Sequence, residues 1–390
     1  MTIENPRVSI ITPSYNSAQY IEETIRSVRS QSYPNIEHII IDGKSSDETI
    51  SILNRYQESL SWLSERDEGQ SDALNKGLRL SSGEVIGWLN ADDTYNANAI
   101  SDAVTFLSNN PNVGMTYANC HIIDGEGKII DRFEPGAFDL KKQLTENIIP
   151  QPTIFVRRNI LKELGFVRND LHFVMDYDLW LRIGRKYLIL KNGGWPANFR
   201  IAKGSKTTSN PRQFGIENLV VLKDFFDKIE MHDPLNDLYD QAFAMAHWRV
   251  AIACYREGDV QVGQEHLKKA TIKHRLFEQG HRNAIHTIAH VIASDYDQAT
   301  NQFADRLQID LSEMNQLPPR FNSQIAGQVY AIRAFKSRSA DGSGISLSDT
   351  FNCIFNDPYW LRNRGFRSLF FEAILGNRIA ERLRRIINVL

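Results

Sequence analysis

A mixed α/β sheet with flanking helices, followed by an all-helical second half, is the fold class the sequence predicts. Three observations predict it. Short apolar, β-branched runs recur up to Leu89, helical apolar spacing separates them, and strand-like runs become rare from about residue 216. In order, Val8 to Thr12 forms the first strand run, and Ile21, Ile25 and Val28 line one face of the helix after it. Ile36 to Ile41 reads as a second buried strand that ends at Asp42-Gly43. Asp47 reads as an N-cap with Ile50 and Leu53 behind it. A short strand at Trp62-Leu63 leads to a helix carrying Ala73, Leu74 and Leu78, and Val85 to Leu89 is a fourth strand. Strands separated by helices of this length imply βαβ units and a mostly parallel sheet. Ligands of such sheets sit beyond the C-terminal ends of the strands. Asp42, Glu65, Asp67, Asp92 and Asp93 all fall just after predicted strands.

The chain has 390 residues, which at roughly 150 per domain predicts two domains. Lys and Arg total 45 against 47 Asp and Glu, a formal charge of −2. That balance argues against nucleic-acid binding by broad phosphate neutralisation. Cys120, Cys254 and Cys353 are scattered and odd in number, which suits a reducing compartment rather than a disulfide framework or metal cluster. No apolar run reaches the roughly 20 residues that span a bilayer. The opening MTIENPRVSI has no basic-then-apolar leader, so a cytoplasmic location is expected.

The expected division is 1–215 for the α/β domain and 216–390 for a helical domain, with the polar segment from Lys203 to Pro211 at the boundary. Residues 240–275 read as a helical hairpin spaced like one tetratricopeptide unit, through Ala251, Cys254, Gly258, Gly263, Leu267 and Ala270. A loop is expected at 336–349. His286 and His290 are four apart but have no third ligand in view, so they read as core or surface residues. From Leu361 to Leu390, seven arginines against two glutamates leave +5, interleaved with apolar residues. This basic amphipathic pattern suits either an anionic membrane surface at the inner face of the cell membrane or a terminal helix docked on its own domain.

The chemistry-bearing motifs are Thr12-Pro-Ser-Tyr-Asn16, Asp42-Gly-Lys-Ser-Ser-Asp47, Ser64 to Gln70, Asn90-Ala-Asp-Asp93, Gln151-Pro152 and Met175-Asp-Tyr-Asp-Leu-Trp180. Adjacent carboxylates at Asp92 and Asp93 repel each other unless a cation or shared proton intervenes. Hard cations such as Mn2+ or Mg2+ take a few carboxylates plus phosphate oxygens, which is equipment for neutralising a diphosphate. An Asx-type cap before Asn96 is the bland alternative. Asp67 stands in a turn that can face ribose or pyrophosphate. Asp176 opens a helix, where a carboxylate stays ionised unless burial raises its pKa. A simple N-cap is the alternative role there, and Asp178 reads as a helix brace.

Together these motifs, over roughly residues 7–205, resemble the family 2 glycosyltransferases of GT-A fold, and within them the polysaccharide-assembly branch. The resemblance implies transfer of a sugar from a nucleotide-diphosphate donor to an acceptor hydroxyl with inversion, on a saccharide or lipid-linked acceptor. It implies Asp42 at the base edge, favouring UDP or dTDP, and the Pro13 and Tyr15 loop against base and ribose. It places Gln151 on the donor side, Asp93 with Asp92 at the metal, and Asp176 as general base. Three positions depart from the family pattern. Asn90 stands where an acid is usual, Met175 where a Glu is usual, and Ile201-Ala202 where a His often completes the metal site. Lys206 stands where a loop can close over the diphosphate. The helical domain is expected to shape the acceptor site, self-associate or meet a membrane. Two other readings remain: a helical adaptor with a catalytically dead α/β domain, and a sugar nucleotidyltransferase. Against the latter, Ser14 to Ala18 lacks a Gly- and basic-rich phosphate loop.

Overall fold

The structure is a computed structural model that describes residues 5–202, 204–274, 320–339 and 347–375, with isolated positions between 285 and 311. Lys203, His286, His290, residues 340–346 of the expected 336–349 loop and the tail beyond 375 lie outside the described residues, and the two ends of that expected loop, 336–339 and 347–349, are helical instead. The chain divides into two compact units, Met1–Tyr239 and Asp240–Leu390.

The first unit is built on two sheets. The strands in chain order are β1 (Val8–Ser14), β2 (Ile36–Asp42), β3 (Ser61–Ser64), β4 (Val85–Trp88), β5 (Thr94–Tyr95), β6 (Val113–Tyr117), β7 (Cys120–Ile123), β8 (Ile129–Phe133), β9 (Phe155–Arg157), β10 (Leu188–Lys191) and β11 (Ala197–Arg200). The main sheet has seven strands in the order β10-β6-β9-β4-β1-β2-β3. Its neighbours are parallel except around β9, which runs antiparallel to both β4 and β6. Helices α1 (Ile21–Arg29), α2 (Thr49–Arg55), α3 (Gln70–Leu80) and α4 (Ala99–Asn109) follow strands, as the βαβ reading expects. The later helices are α5 (Leu140–Thr145), α6 (Arg158–Leu164), α7 (Met175–Lys186), α8 (Lys206–Ser209) and α9 (Pro211–Lys228). Every residue of β1 and β4 is buried, because a central parallel strand is covered on both faces and so reads as an unbroken apolar run. A smaller sheet, β5-β11-β7-β8, stands beside the main one. The mixed α/β fold class of the sequence reading is thus the observed one, and the second unit is helical throughout its described residues.

Strand β9 is preceded by a 3-10 turn at Gln151–Thr153. Pro152 lacks an N–H for a sheet ladder, and Thr153 spends its hydroxyl on the Pro150 carbonyl at 2.8 Å.

In the second unit, α10 (Tyr239–Glu257) and α11 (Val260–Lys268) form the expected helical hairpin. Gly258, at φ 81°, supplies the left-handed turn between them. Ala251, Leu267 and Ala270 are buried in its core together with Trp248 and Tyr255. Within the described part of the tail, Phe366 and Leu369 are fully buried in a cluster with Ala331, Ala334 and Cys353. Those two apolar residues are therefore used for packing. No helix among the described residues is long and apolar enough to cross a membrane.

Candidate functional site

The C-terminal ends of β1 and β4 converge on a cavity of about 700 Å³. The loop after β1 is laced to the loop after β2. Asn16, at φ 48°, receives the Ser46 N–H on its side-chain oxygen at 2.9 Å and donates its own N–H to Ser45 Oγ at 2.7 Å. Asp47 stands one residue before the N-cap position of α2, which Glu48 occupies, and accepts the Thr49 N–H and the Ala18 N–H, each at 3.0 Å. This bracing presents Tyr15, 66 % exposed, at the cavity mouth.

Of the residues singled out in the sequence, Pro13, Tyr15, Asp92, Gln151 and Asp176 line the cavity. Asp42, Asp67 and Asp93 do not. Asp42 is fully buried and its carboxylate is occupied by the Ser45 N–H at 2.9 Å, the Ser64 hydroxyl at 2.7 Å and the Ser45 hydroxyl. In this state it cross-links the ends of β2 and β3 instead of presenting a free edge to a base. Asp67 accepts the Gly69 N–H at 3.0 Å and lies against Gly43, where an added Cβ would stand 2.7 Å from its Oδ2. Burial raises the Asp67 pKa, helped by Asp72 and Asp42 and opposed by Gly69 and Lys76.

Asp92 is half-buried on the cavity wall, whereas Asp93 is wholly buried behind it. Asp93 accepts the Arg200 N–H at 2.9 Å and an Asn90 side-chain N–H at 3.3 Å. The resemblance places Asp93 with Asp92 at a metal; of the two, Asp92 lines the cavity, and Asp93 is held inward by the β11 backbone. Burial and the Asp92 charge push the Asp93 carboxyl well above its ordinary range, and burial also raises Asp92 against the pull of Arg200. Among the described residues, no three His, Cys, Asp or Glu side chains converge as a metal-holding group.

Asp176 lies in the first turn of α7 and faces the same cavity. Burial pushes its carboxyl up to about 6, against backbone N–H groups, Asn147 and Lys206. The low pKa expected of a helix N-terminus is therefore overridden by desolvation. Asp178, by contrast, braces α7 as expected, accepting Arg182 Nε at 2.8 Å. Glu217 on α9 anchors the turn before α7, accepting the backbone N–H groups of His172, Phe173 and Val174 at 2.8, 2.6 and 3.1 Å. Lys206 donates to Gln70 Oε1 at 3.0 Å and lies over the Phe173 ring at 5.1 Å.

Sequence reasoning missed Arg200 and Glu217, whose partners are distant in the chain and leave no local spacing signal. Arg157 and Arg158, at the junction of β9 and the helix after it, are both spent on backbone carbonyls, Arg157 on Val113 and Leu107 and Arg158 on Ser81.

Comparison with known proteins agrees with this architecture. Residues 9–182 match the model for "Glycosyl transferase family 2". An uncharacterized glycosyltransferase of Rickettsia prowazekii is 30% identical over 191 residues, 47% of this chain and 60% of that protein. The chain thus matches only about three fifths of that relative's length. An uncharacterized glycosyltransferase of Mycobacterium tuberculosis is 30% identical over 184 residues, 45% of this chain and 68% of that protein. Among solved structures, the mannosyltransferase PcManGT of Pyrobaculum calidifontis, in complex with GDP-Man and Mn2+, superposes with a TM-score of 0.51. That match covers 88% of this chain and 89% of the other at 19% identity, and it speaks to the fold. With the ordered motifs at the strand ends, these matches establish that the chain belongs to glycosyl transferase family 2.

Proposed function

We propose that the chain is a metal-assisted, inverting glycosyltransferase that moves a sugar from a nucleotide-diphosphate donor to an acceptor hydroxyl. One observation carries the reading: the strand-end carboxylate Asp92 and the helix-start carboxylate Asp176 face the same cavity. A displacement that inverts the anomeric centre needs one group on the leaving-group side and one base on the acceptor side. Asp176 takes the acceptor proton as the hydroxyl attacks. Its raised pKa places it near the working range of a general base. Lys206, which reaches the cavity from α8, offers a cation toward the leaving diphosphate.

The donor set fits Mn2+ or Mg2+. Such ions are commonly held by one or two carboxylates and completed by substrate phosphates and water, and Asp92 on the cavity wall would supply that minimum. A bound cation would supply charge neutralisation for the departing diphosphate. The Pro13 and Tyr15 loop is assigned to the nucleoside, with UDP or dTDP as the favoured carriers. Asp42 and Asp67 support the donor side from behind, and Gln151 faces it from the wall. Phe133, Phe173 and Phe214 give the cavity an apolar side suited to stacking on a saccharide or lipid-linked acceptor in cell-surface polysaccharide or glycolipid assembly. The helical unit is assigned self-association or contact with the inner face of the membrane.

A screen of nucleotide sugars, with and without Mn2+, tests the reading by thermal shift and donor hydrolysis. A metal-linked response to at least one donor is expected. Absence of binding to every nucleotide, with or without metal, favours the adaptor reading, for which the lack of a three-ligand protein cluster among the described residues is the supporting observation.

A further inference from the structure

The acid-to-amide departure at position 90 lies at the centre of a hydrogen-bond chain across the cavity floor. Asn90 Oδ1 accepts Gln70 Nε2 and Trp88 Nε1, each at 2.9 Å. Asn90 Nδ2 donates to Gln151 Oε1 at 2.9 Å and to Asp93 Oδ2 at 3.3 Å. All four hydrogen-bonding places of the amide are filled. The chain continues at both ends: Lys206 Nζ donates to Gln70 Oε1 at 3.0 Å, and Gln151 Nε2 donates to the Trp88 carbonyl at 2.7 Å.

The direction of every bond is set by groups that have only one role. An indole N–H and an ammonium can only donate, and a backbone carbonyl can only accept. Trp88 Nε1 therefore fixes which way Asn90 faces, Lys206 fixes Gln70, and the Trp88 carbonyl fixes Gln151. No amide can flip without setting two acceptors or two donors against each other. The result is a line of aligned donors running from the Lys206 cation to the Asp93 carboxylate. Hydrogen bonds so aligned polarise and reinforce one another.

We propose that Asn90 is a positioning residue whose amide, and not an acid, is required: it orients Asp93 and Gln151 and ties the Lys206 segment to the metal-side turn through Gln70. An ionised carboxylate in its place could still accept from Trp88 and Gln70. It would turn lone pairs on Gln151 Oε1 and place a third carboxylate beside Asp92 and Asp93. The position that looks degenerate by motif is then fully committed by chemistry. The assignment stands on the bonds themselves; its consequence for turnover rests on the transferase reading above.

Asn90→Asp is the test, first by thermal unfolding across pH without ligand or metal. The carboxyl that this substitution introduces can donate to Gln151 when protonated, but not when ionised. The variant should therefore come closest to wild type below about pH 5, where one of the two amide donors is replaced, and show a Tm deficit larger by about 4 °C near pH 8. Gln70→Glu, which keeps the bond from Lys206 and loses the donor to Asn90, should show the same pH-dependent deficit if Asn90→Asp does not fold. Identical melting curves for wild type and both variants at every pH, or a deficit that does not change with pH, would overturn the proposal. In turnover, Asn90→Asp should fall about tenfold or more below wild type in kcat at neutral pH, and the ratio of the two rates should narrow toward acid. Wild-type protein that transfers no sugar would sink the transferase reading while the melting curves still decide the role of Asn90.

Discussion

Arg200 grips Asp92 by its backbone: its Nε donates to the Asp92 carbonyl at 2.8 Å. The same guanidinium donates to the Asp124 and Gly125 carbonyls at 3.1 and 3.2 Å and to Glu23 at 2.5 Å, and lies 4.4 Å over the Tyr20 ring. A buried arginine thus fixes the turn that aims one carboxylate into the cavity and the other away from it. Arg200→Met removes three charge-assisted bonds to carbonyls, and a loss of about 3 kcal/mol of stability is expected. Urea unfolding measures it. A midpoint equal to wild type with an unchanged slope would contradict the anchoring role.

The base assignment has a pH signature. Asp176 must be ionised to accept a proton, and burial has moved its carboxyl up to about 6. The rate kcat/KM should fall as pH drops through that value, and Asp176→Asn should lower turnover by about 10²–10⁴-fold while leaving nucleotide binding in place. An acid limb near the ordinary carboxylate value of about 4 would show that Asp176 is not the group titrating.

Asp92, not Asp93, should govern metal-linked affinity. Isothermal titration of UDP into Asp92→Asn is expected to lose most of the gain that Mn2+ confers on wild type. Asp93→Asn should retain more of it, since Asp93 is turned to the Arg200 N–H and away from the cavity. The reverse order would restore Asp93 as the direct ligand.

In the core of the main sheet, His38 on β2 makes the fold sensitive to acid. Its Nε2 pairs with the Thr12 hydroxyl at 3.0 Å, and burial lowers its pKa to about 3. The unfolded chain takes up a proton near about 6.5 and the folded chain does not, so stability falls as pH drops between those values. His38→Gln should reduce that slope by up to about 1.4 kcal/mol per pH unit. Equal slopes for the two proteins would show that His38 does not contribute.

Strands β1, β2 and β4 were legible because both of their faces are covered and their apolar runs are continuous. Strand β8 was not, since it is an edge strand with Ile129 and Ile130 about half exposed, and β5 has only two residues. Asp176 was legible as a motif at a helix start. The inward turn of Asp42 was not, because Ser45 and Ser64 meet its carboxylate only after β2 and β3 pair. Glu217 escaped for the same reason, standing 43 to 45 positions from the N–H groups it accepts. Asn90 was legible only as a departure from a pattern. What the departure accomplishes appears once Gln70, Trp88 and Gln151 surround it.

The reversed strand β9 has a topological consequence. Where its neighbours hand over their last residues at the cavity rim, β9 delivers its first, so Gln151 arrives there from the opposite direction of travel. The chain therefore reaches the rim through a preceding loop instead of a following one. Residues 134–150 thus carry the chain to the rim, where Asn147, Ile149 and Pro150 line the cavity, while Leu144 and Ile149 are buried. On the proposed transferase reading, it is this approach, and not a strand end, that would vary the acceptor side.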